Sequence, residues 1–328
     1  MEVTLEFERP VSELENQIRE LKIAGAKPNI DISHEIEALQ AKVDGMLEDI
    51  FQKLTPWQRT QLSRHPSRPH AIDYIEKIFP DFHEIHGDRR FSDDQAMVTG
   101  FGHIDGQRVA VIGIEKGRKT QEKIKRNFGM ANPEGYRKAL RVMQLASQFQ
   151  IPVVTFVDTP GAYPGIGAEE RGQALAIAEN LEEMFKIKSP IISIVIGEGG
   201  SGGALGIAIA DRVFMMEYSV YSVISPESCA SILWSDSKMA ETAADALQLS
   251  PNKALELKVI DSIIKEPAGG AHRHPERAIQ TVKETILSSL AQIKKDDVET
   301  MMNKRFEKFR QMGNLTLTLD QTEIEPKE

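Results

Sequence analysis

The stretch from Pro190 to Ala210 constrains this chain more than any other. Residues 190–196 form a β-branched apolar run, which suits a strand buried on both faces. Five glycines then fall within the seven residues 197–203, and the small apolar residues 204–210 suit a short, tightly packed helix. A loop without Cβ atoms lets its N–H groups approach a substrate oxygen at a helix start. Its natural chemistry is stabilisation of negative charge by backbone amides. Packing alone would explain two glycines in a strand-to-helix turn, but it leaves five unexplained.

The residues leave three readings of this loop open. Gly197, Gly199 and Gly202 fit G-x-G-x-x-G after a strand, and Glu217 stands where a ribose-binding acid would lie, which gives an NAD-binding oxidoreductase. Gly199, Ser201 and Gly203 fit G-x-S-x-G, with His272 and His274 as candidate bases, which gives a serine hydrolase. The third reading is an oxyanion hole with no covalent nucleophile. It alone uses the excess of glycine, and it ranks slightly ahead.

The rest of the chain narrows the setting. Its 328 residues, 41% hydrophobic, allow one large domain with additions or two domains. No apolar run approaches the ~20 residues of a membrane span, and the acidic N-terminus lacks the layout of a signal peptide. The lone Cys229 excludes an internal disulfide and a cysteine-built metal site within the chain. A cytoplasmic protein without membrane attachment is expected. The net charge of −9 argues against general nucleic-acid binding.

In chain order, residues 10–55 read as a helical hairpin. Ser12 and Glu15 form a capping box, and Val11, Leu14, Ile18 and Leu21 lie on one face. The pattern breaks at 25–29 and resumes with Ile36, Leu39, Val43, Leu47 and Ile50. The stripe must be covered by the chain itself or by a partner. Residues 56–70 read as an irregular connector and 71–79 as a short helix. Strands come next near 96–104 and 108–114, joined by the hairpin signal Asp105-Gly106.

Residues 115–141 carry nine Lys or Arg against three Glu on an otherwise acidic chain. Because the run surrounds Asn127 to Met130 and is not helical in pattern, an anionic partner or substrate phosphate is favoured over a solvated helix face.

Strands and helices then alternate. Helices are expected at 134–149 and 168–185, strands at 153–158, 190–196, 212–216 and 220–225. This predicts an α/β core with sites at the carboxyl ends of its strands. The loops 159–165 and 197–203 lie at such ends and should line one face. Helices are expected over 227–233, 237–247, 252–257 and 276–312, the last broken near 294–297, with a strand at 262–264. The polar tail from Gly313 reads as frayed.

Longer motifs add a resemblance. Lys116 to Arg118 with Asn127 to Met130, Pro133 to Arg141, Phe156 to Gly165, Glu169 to Gln173, the glycine loop, and Tyr221 to Trp234 resemble, in order and spacing, the carboxyltransferase alpha subunit of bacterial acetyl-CoA carboxylase. The resemblance covers nearly the whole chain, including Gly269 to Arg273, and only the tail beyond Met312 looks individual.

That resemblance implies a crotonase-like α/β fold of stacked ββα units. The N-terminal hairpin would span 1–55, the core 56–265, a C-terminal helical extension 266–312, and a disordered tail 313–328. It implies transfer of carboxylate from carboxybiotin, borne on the biotin carboxyl carrier protein, to acetyl-CoA, giving malonyl-CoA for fatty-acid synthesis. An obligate beta subunit (an α2β2 assembly) is implied, with biotin carboxylase in the larger complex. No cofactor is expected on this chain and zinc only on the beta subunit.

By position, the amides of Gly202 and Gly203, with Ala204 beside them, would hold the ureido oxygen of biotin. Gly161, Ala162, Tyr163, Gly199 and Gly200 would wall the cleft, and Arg118, Lys123 and Arg126 are the candidate substrate-binding cations.

Overall fold

The computed structural model describes residues 3–24 and 33–313. The expected break at 25–29 and the tail beyond Gly313 lie outside the described residues. Helices α1 (Arg9–Ala24) and α2 (Ser33–Gln52) form the two arms of the hairpin. α1 begins at Arg9, ahead of the expected cap. Ser12 and Glu15 are therefore interior to the helix, and Glu15 pairs with Arg273 instead. Val11 and Ile18 from α1 and Val43, Leu47 and Phe51 from α2 are buried with Leu54, Leu62 and Tyr218. The chain itself thus covers the stripe.

The expected connector at 56–70 starts with a helix, α3 (Pro56–Ser63). Thr55 Oγ1 accepts the Gln58 N–H at 3.2 Å, and the Gln58 side chain accepts the Thr55 N–H at 2.9 Å. Pro56 sits at the first helical position, where its missing N–H costs nothing. It reads as a break only if that cap is overlooked. Helix α4 (Ala71–Ile78) comes next, as expected.

One eight-stranded sheet organises the remainder. β1 (His83–Glu84), which periodicity did not reveal, pairs antiparallel with β2 (Met97–Ile104), and β2 pairs with β3 (Gln107–Ile114). Asp105 and Gly106 join them with φ of +47° and +78°, the two left-handed positions of a tight hairpin turn. After β3 come α5 (Thr120–Lys125) and α6 (Pro133–Gln148). β4 (Val153–Thr159), α7 (Ile166–Glu170), α8 (Gln173–Lys186), β5 (Ile191–Gly200) and α9 (Ser201–Leu205) come next. β6 (Arg212–Met216), β7 (Val220–Ser222), α10 (Pro226–Trp234), α11 (Ala240–Leu247), α12 (Pro251–Glu256) and β8 (Ser262–Ile264) continue the chain. α13 (Pro275–Ile293) and α14 (Val298–Arg310) complete it. The strand order is β1-β2-β3-β4-β5-β6-β8, parallel from β3 onward, with β7 added alongside the end of β5.

Three expectations are corrected. The single helix over 168–185 is two, because Gly172 takes φ +82° between α7 and α8. The helix over 237–247 opens with a 3-10 turn at Ser237–Met239, and the strand over 220–225 stops at Ser222. The break near 294–297 is real: Asp297 caps α14 by accepting the Thr300 N–H at 2.9 Å.

Alternation along β5 sends Ile191 and Val195 to one face and Ile192, Ile194 and Ile196 to the other. The first face packs on Ala139, Met143 and Met184 from α6 and α8. The second packs on Tyr74 and Ile75 from α4 and on Ile279, Val282 and Ile286 from α13. Full burial of such an aliphatic side chain contributes about 1.5–3 kcal/mol.

At the opposite end of the sheet from the glycine loop, Arg305 of α14 is 1% exposed. Its guanidinium donates to Asp211 and to the carbonyls of Met184, Ile187 and Ser189 at 2.7–2.9 Å. Removing one partner of such a buried pair costs about 3–5 kcal/mol.

Candidate functional site

Strand β5 does not end where its apolar run ends. It continues through Gly197, Glu198 and Gly199 to Gly200, and α9 starts at Ser201. The glycines are needed there for contact. A Cβ on Gly200 would lie 2.2 Å from the Pro160 carbonyl oxygen. One on Gly203 would lie 2.5 Å from the Ala162 nitrogen and from the Gly161 carbonyl carbon. Both obstacles are backbone, which cannot give way. The start of α9 therefore packs directly on the loop after β4, so Gly161, Ala162, Gly200 and Gly203 are brought together.

The same loop is tied down on its far side. Thr159 Oγ1 donates to the Gly129 carbonyl at 2.6 Å and accepts the Gly161 N–H at 3.0 Å. The Tyr163 N–H donates to Ala131 O at 3.1 Å, and Gln173 Nε2 donates to both Ala131 O and Tyr163 O. The buried Tyr136 hydroxyl donates to the Gly203 carbonyl at 3.2 Å. Burial pushes that phenol far above its ordinary pKa, so it stays a donor.

In an α-helix the first-turn amides have no intrahelical carbonyl to meet. In α9 these belong to residues 201–203. Gly203 and Ala204 are buried in the lone chain, whereas Ser201 and Gly202 remain partly open, as do Gly161, Ala162 and Tyr163. Ser201 holds φ +55°, a left-handed value that glycine would adopt with less strain. Gly199 is covered by Tyr221, whose ring stands 2.7 Å from where its Cβ would be.

Beneath the loop lies a network of charges that sequence spacing did not bring together. Lys116 Nζ bonds Asp158 Oδ1 at 2.7 Å and Glu198 Oε2 at 2.6 Å. Glu198 also accepts Arg64 Nε at 2.6 Å, and Arg64 pairs onward with Glu227. Burial works against the charge on Glu198, but Lys116 and Arg64 overcome it and hold the carboxyl below its usual range. Burial likewise opposes the Lys116 ammonium, and Asp158 and Glu198 prevail, raising its pKa.

Much of the basic run is bonded within the chain. Arg118 pairs with Asp73 and donates to Pro66 O, and Arg126 donates to Gln95 O at 2.7 Å. Arg137 pairs with Asp88, and the fully buried Lys138 with Asp93. Lys119, Lys123 and Lys125 form no ion pair among the described residues. A cleft of about 270 Å³ beside α5 mixes Arg118, Lys125 and Arg126 with Asp73, Glu115 and Glu122. Those carboxylates oppose a phosphate there. Arg118 and Arg126 thus line this cleft.

Two residues invoked for the other readings, Glu217 and His272, are engaged elsewhere. Glu217 pairs with Lys265 at 2.6 Å and accepts the Glu266 N–H at 3.0 Å. His272 Nε2 meets Glu8 Oε1 at 2.9 Å, with its ring 4.3 Å from that of His65. Glu8, His65 and His272 form a group whose ligand-type atoms lie within 4.8 Å of one another. The Ser67 N–H occupies His65 Nδ1, and Val3 O occupies Nε2, so His65 has no lone pair to offer a cation. The group is a hydrogen-bonded joint between the hairpin and the body of the protein.

Residues 4–313 match the family described as acetyl co-enzyme A carboxylase carboxyltransferase-like. The acetyl-coenzyme A carboxylase carboxyl transferase subunit alpha of Geobacter metallireducens is 56% identical over 310 residues, covering 94% of this chain and 97% of its own. The corresponding subunit of Thermus thermophilus is 50% identical over 309 residues, covering 94% and 98%.

Among solved structures, a Pseudomonas malonate decarboxylase hetero-tetramer in complex with coenzyme A aligns with a TM-score of 0.57 at 13% identity, covering 73% of this chain and 93% of that one. The transcarboxylase 12S aligns at 0.52 and 21% identity, covering 65% of this chain and 41% of that one. At such identities these two neighbours speak for the fold alone.

Proposed function

The chain belongs to the acetyl-CoA carboxylase carboxyltransferase alpha-subunit family, and on that footing we propose that it works with a beta subunit to carry carboxylate from carboxybiotin to acetyl-CoA. Its fold is the crotonase-like α/β fold of carboxyltransferases. It is the carboxyl-transferring alpha subunit of an enzyme, and the oxidoreductase and hydrolase readings are set aside.

The mechanism is governed by where charge develops. Carboxybiotin releases CO2 and leaves negative charge on its ureido oxygen. Biotin's own nitrogen then takes a proton from the acetyl methyl group, and the resulting enolate attacks CO2 to give malonyl-CoA. Neither step needs a side-chain base. Each needs preorganised donors at an oxygen, and loss of one such donor typically costs about 100- to 1,000-fold in rate.

The observation supporting this reading is the glycine-only approach of the first turn of α9 to the loop 159–163. We assign the ureido oxygen to the amides of that turn, with Gly202 in front because it is partly open and Gly203 behind it. Ala204 is one step further along α9, where helix geometry directs its N–H back toward Gly200. Gly161, Ala162 and Tyr163 form the facing wall, with Gly199 and Gly200 as the floor.

The beta subunit would supply the donors for the thioester oxygen, and zinc belongs to that chain in this proposal. The biotin carboxyl carrier protein would deliver carboxybiotin, with biotin carboxylase recharging it, inside the cytoplasm. No helix among the described residues is long and apolar enough to cross a membrane.

Carboxyl transfer measured on the purified chain, with and without its beta subunit in an α2β2 assembly, tests the proposal. Transfer is expected only with both. Full activity from this chain alone would sink the two-chain mechanism.

A further inference from the structure

Strand β5 does not run straight into the glycine loop. Val157 of β4 is opposite Val195 of β5, but Thr159 is opposite Gly199, so four steps along β5 match two along β4. Ladder pairing lapses across this bulge, which bends a strand and re-aims the residues beyond it. Past that point, Glu198, Gly199 and Gly200 pair with Val220, Tyr221 and Ser222 of β7.

Ionic groups take the place of the missing ladder. Asp158 Oδ1 accepts the Glu198 N–H at 2.9 Å. The Lys116 ammonium, arriving from just beyond β3, bridges Asp158 and Glu198. The three side chains are 16%, 6% and 10% exposed, so solvent screens them little. Gly197 leaves no space around the clamp: a Cβ there would stand 2.5 Å from Asp158 Oδ1.

We propose that Lys116 is a positioning residue for carboxyl transfer: its shared ammonium pins the β5 bulge and thereby sets where the backbone amides after Gly199 point. The inference rests on the carboxyl-transfer reading above. The clamp joins the ends of three neighbouring strands, β3, β4 and β5, and β4 and β5 end one and two residues beyond Asp158 and Glu198, at Thr159 and Gly200, ahead of the contact between Gly161 and Gly203. Without the ammonium, Glu198 keeps Arg64, but Asp158 loses its one ion-pair partner among the described residues and nothing ties the two carboxylates together across the bulge. The gap between the loops is then free to open. A displacement of about 1 Å is enough to cost about 100-fold in rate.

The test uses the assembled two-subunit enzyme, comparing the parent with Lys116→Met, Lys116→Arg and Glu198→Gln. Sedimentation reads assembly. Carboxyl transfer from malonyl-CoA to free biotin reads kcat and the KM of each substrate. For Lys116→Met we expect normal assembly, an unchanged KM for malonyl-CoA, and kcat lower by about 100-fold. Lys116→Arg should recover at least about tenfold of that loss, because it restores the charge but not the reach.

An assembled Lys116→Met enzyme with kcat within about threefold of the parent would overturn the inference, as would a loss confined to the KM for malonyl-CoA. Should Lys116→Met not assemble, Glu198→Gln decides. It keeps an acceptor and removes one charge, so kcat should fall about tenfold in an intact complex, and a normal kcat there overturns the proposal. Parent activity is read first. A parent complex without carboxyl transfer would refute the functional reading, whereas an active parent with an active Lys116→Met variant refutes only this one.

Discussion

The glycine-rich end of β5 and the basic run after β3 lie side by side at one end of the sheet, and they are built by opposite means. The first has almost no side chains, and contact between bare backbones sets its position, as at Gly200 on Pro160 and Gly203 on Gly161 and Ala162. The second is dense in long side chains, yet Lys116, Arg118, Arg126, Arg137 and Lys138 all turn to internal partners. In the proposed mechanism, residues that look inert in sequence form the chemical surface, while much of what looks reactive is scaffolding. Glycine declares its role locally, because an absent Cβ restricts what can stand next to it. A charge does not, because its partner can sit anywhere in the chain.

The sharpest way to break this comparison is Gly203→Val. A β-branched side chain would have to occupy space held by the backbone at 161–162. With the beta subunit still bound, carboxyl transfer should fall by about 100-fold or more, equally for free and carrier-borne biotin. Undiminished transfer in an intact complex would show that the loop is only structural.

Charge reversal should separate the island into two kinds of residue. Arg118→Glu would place like charge beside Asp73 and should lower Tm by about 1–2 °C, the shift expected for about 1 kcal/mol in a chain of this size. Lys123→Glu breaks no ion pair among the described residues, so Tm should hold. If this lysine meets an anionic partner, transfer should drop about threefold, in keeping with a single exposed charge, and added salt should erase the difference. Reversal of Arg118, Lys123 and Arg126 together with no effect on Tm, assembly or turnover would reduce the whole run to solvated surface.

The smallest effect should come from Ser201→Ala. Its hydroxyl is given no chemical role, so transfer should stay within about threefold of the parent, less than 1 kcal/mol in the barrier. A larger loss accompanied by fluorophosphonate labelling would return the loop to hydrolase chemistry.

Much of the fold was legible because it rests on short-range pattern. The Asp105-Gly106 turn, the apolar strands around 153 and 191, and the helix break near 294–297 each announce themselves within a few residues. Pro56 misled because a proline at the first turn of a helix and a proline that ends one look alike without the Thr55–Gln58 cap beside it. The joint between α7 and α8 was hidden because Gly172 interrupts an apolar pattern that otherwise continues. At the candidate site the glycines could be read, but the clamp beneath them could not. Lys116 and Glu198 are 82 residues apart, and Asp158 and Glu198 are 40 apart. No local period links them, and the β5 bulge that draws them together appears only once the strand register is known.

The buried guanidinium of Arg305 bears on the order in which the molecule can be completed. It lies 94 residues after Asp211, its carboxylate partner, and 121 after Met184, whose carbonyl it satisfies. During synthesis, β5 and β6 leave the ribosome with that corner of the sheet open. Until α14 arrives, Asp211 and the carbonyls of Met184, Ile187 and Ser189 must be served by water. The glycine loop at the other end of the same strands is complete in sequence long before the foundation of β5 is closed. Closing that corner thus waits for α14, which is translated after every strand of the sheet.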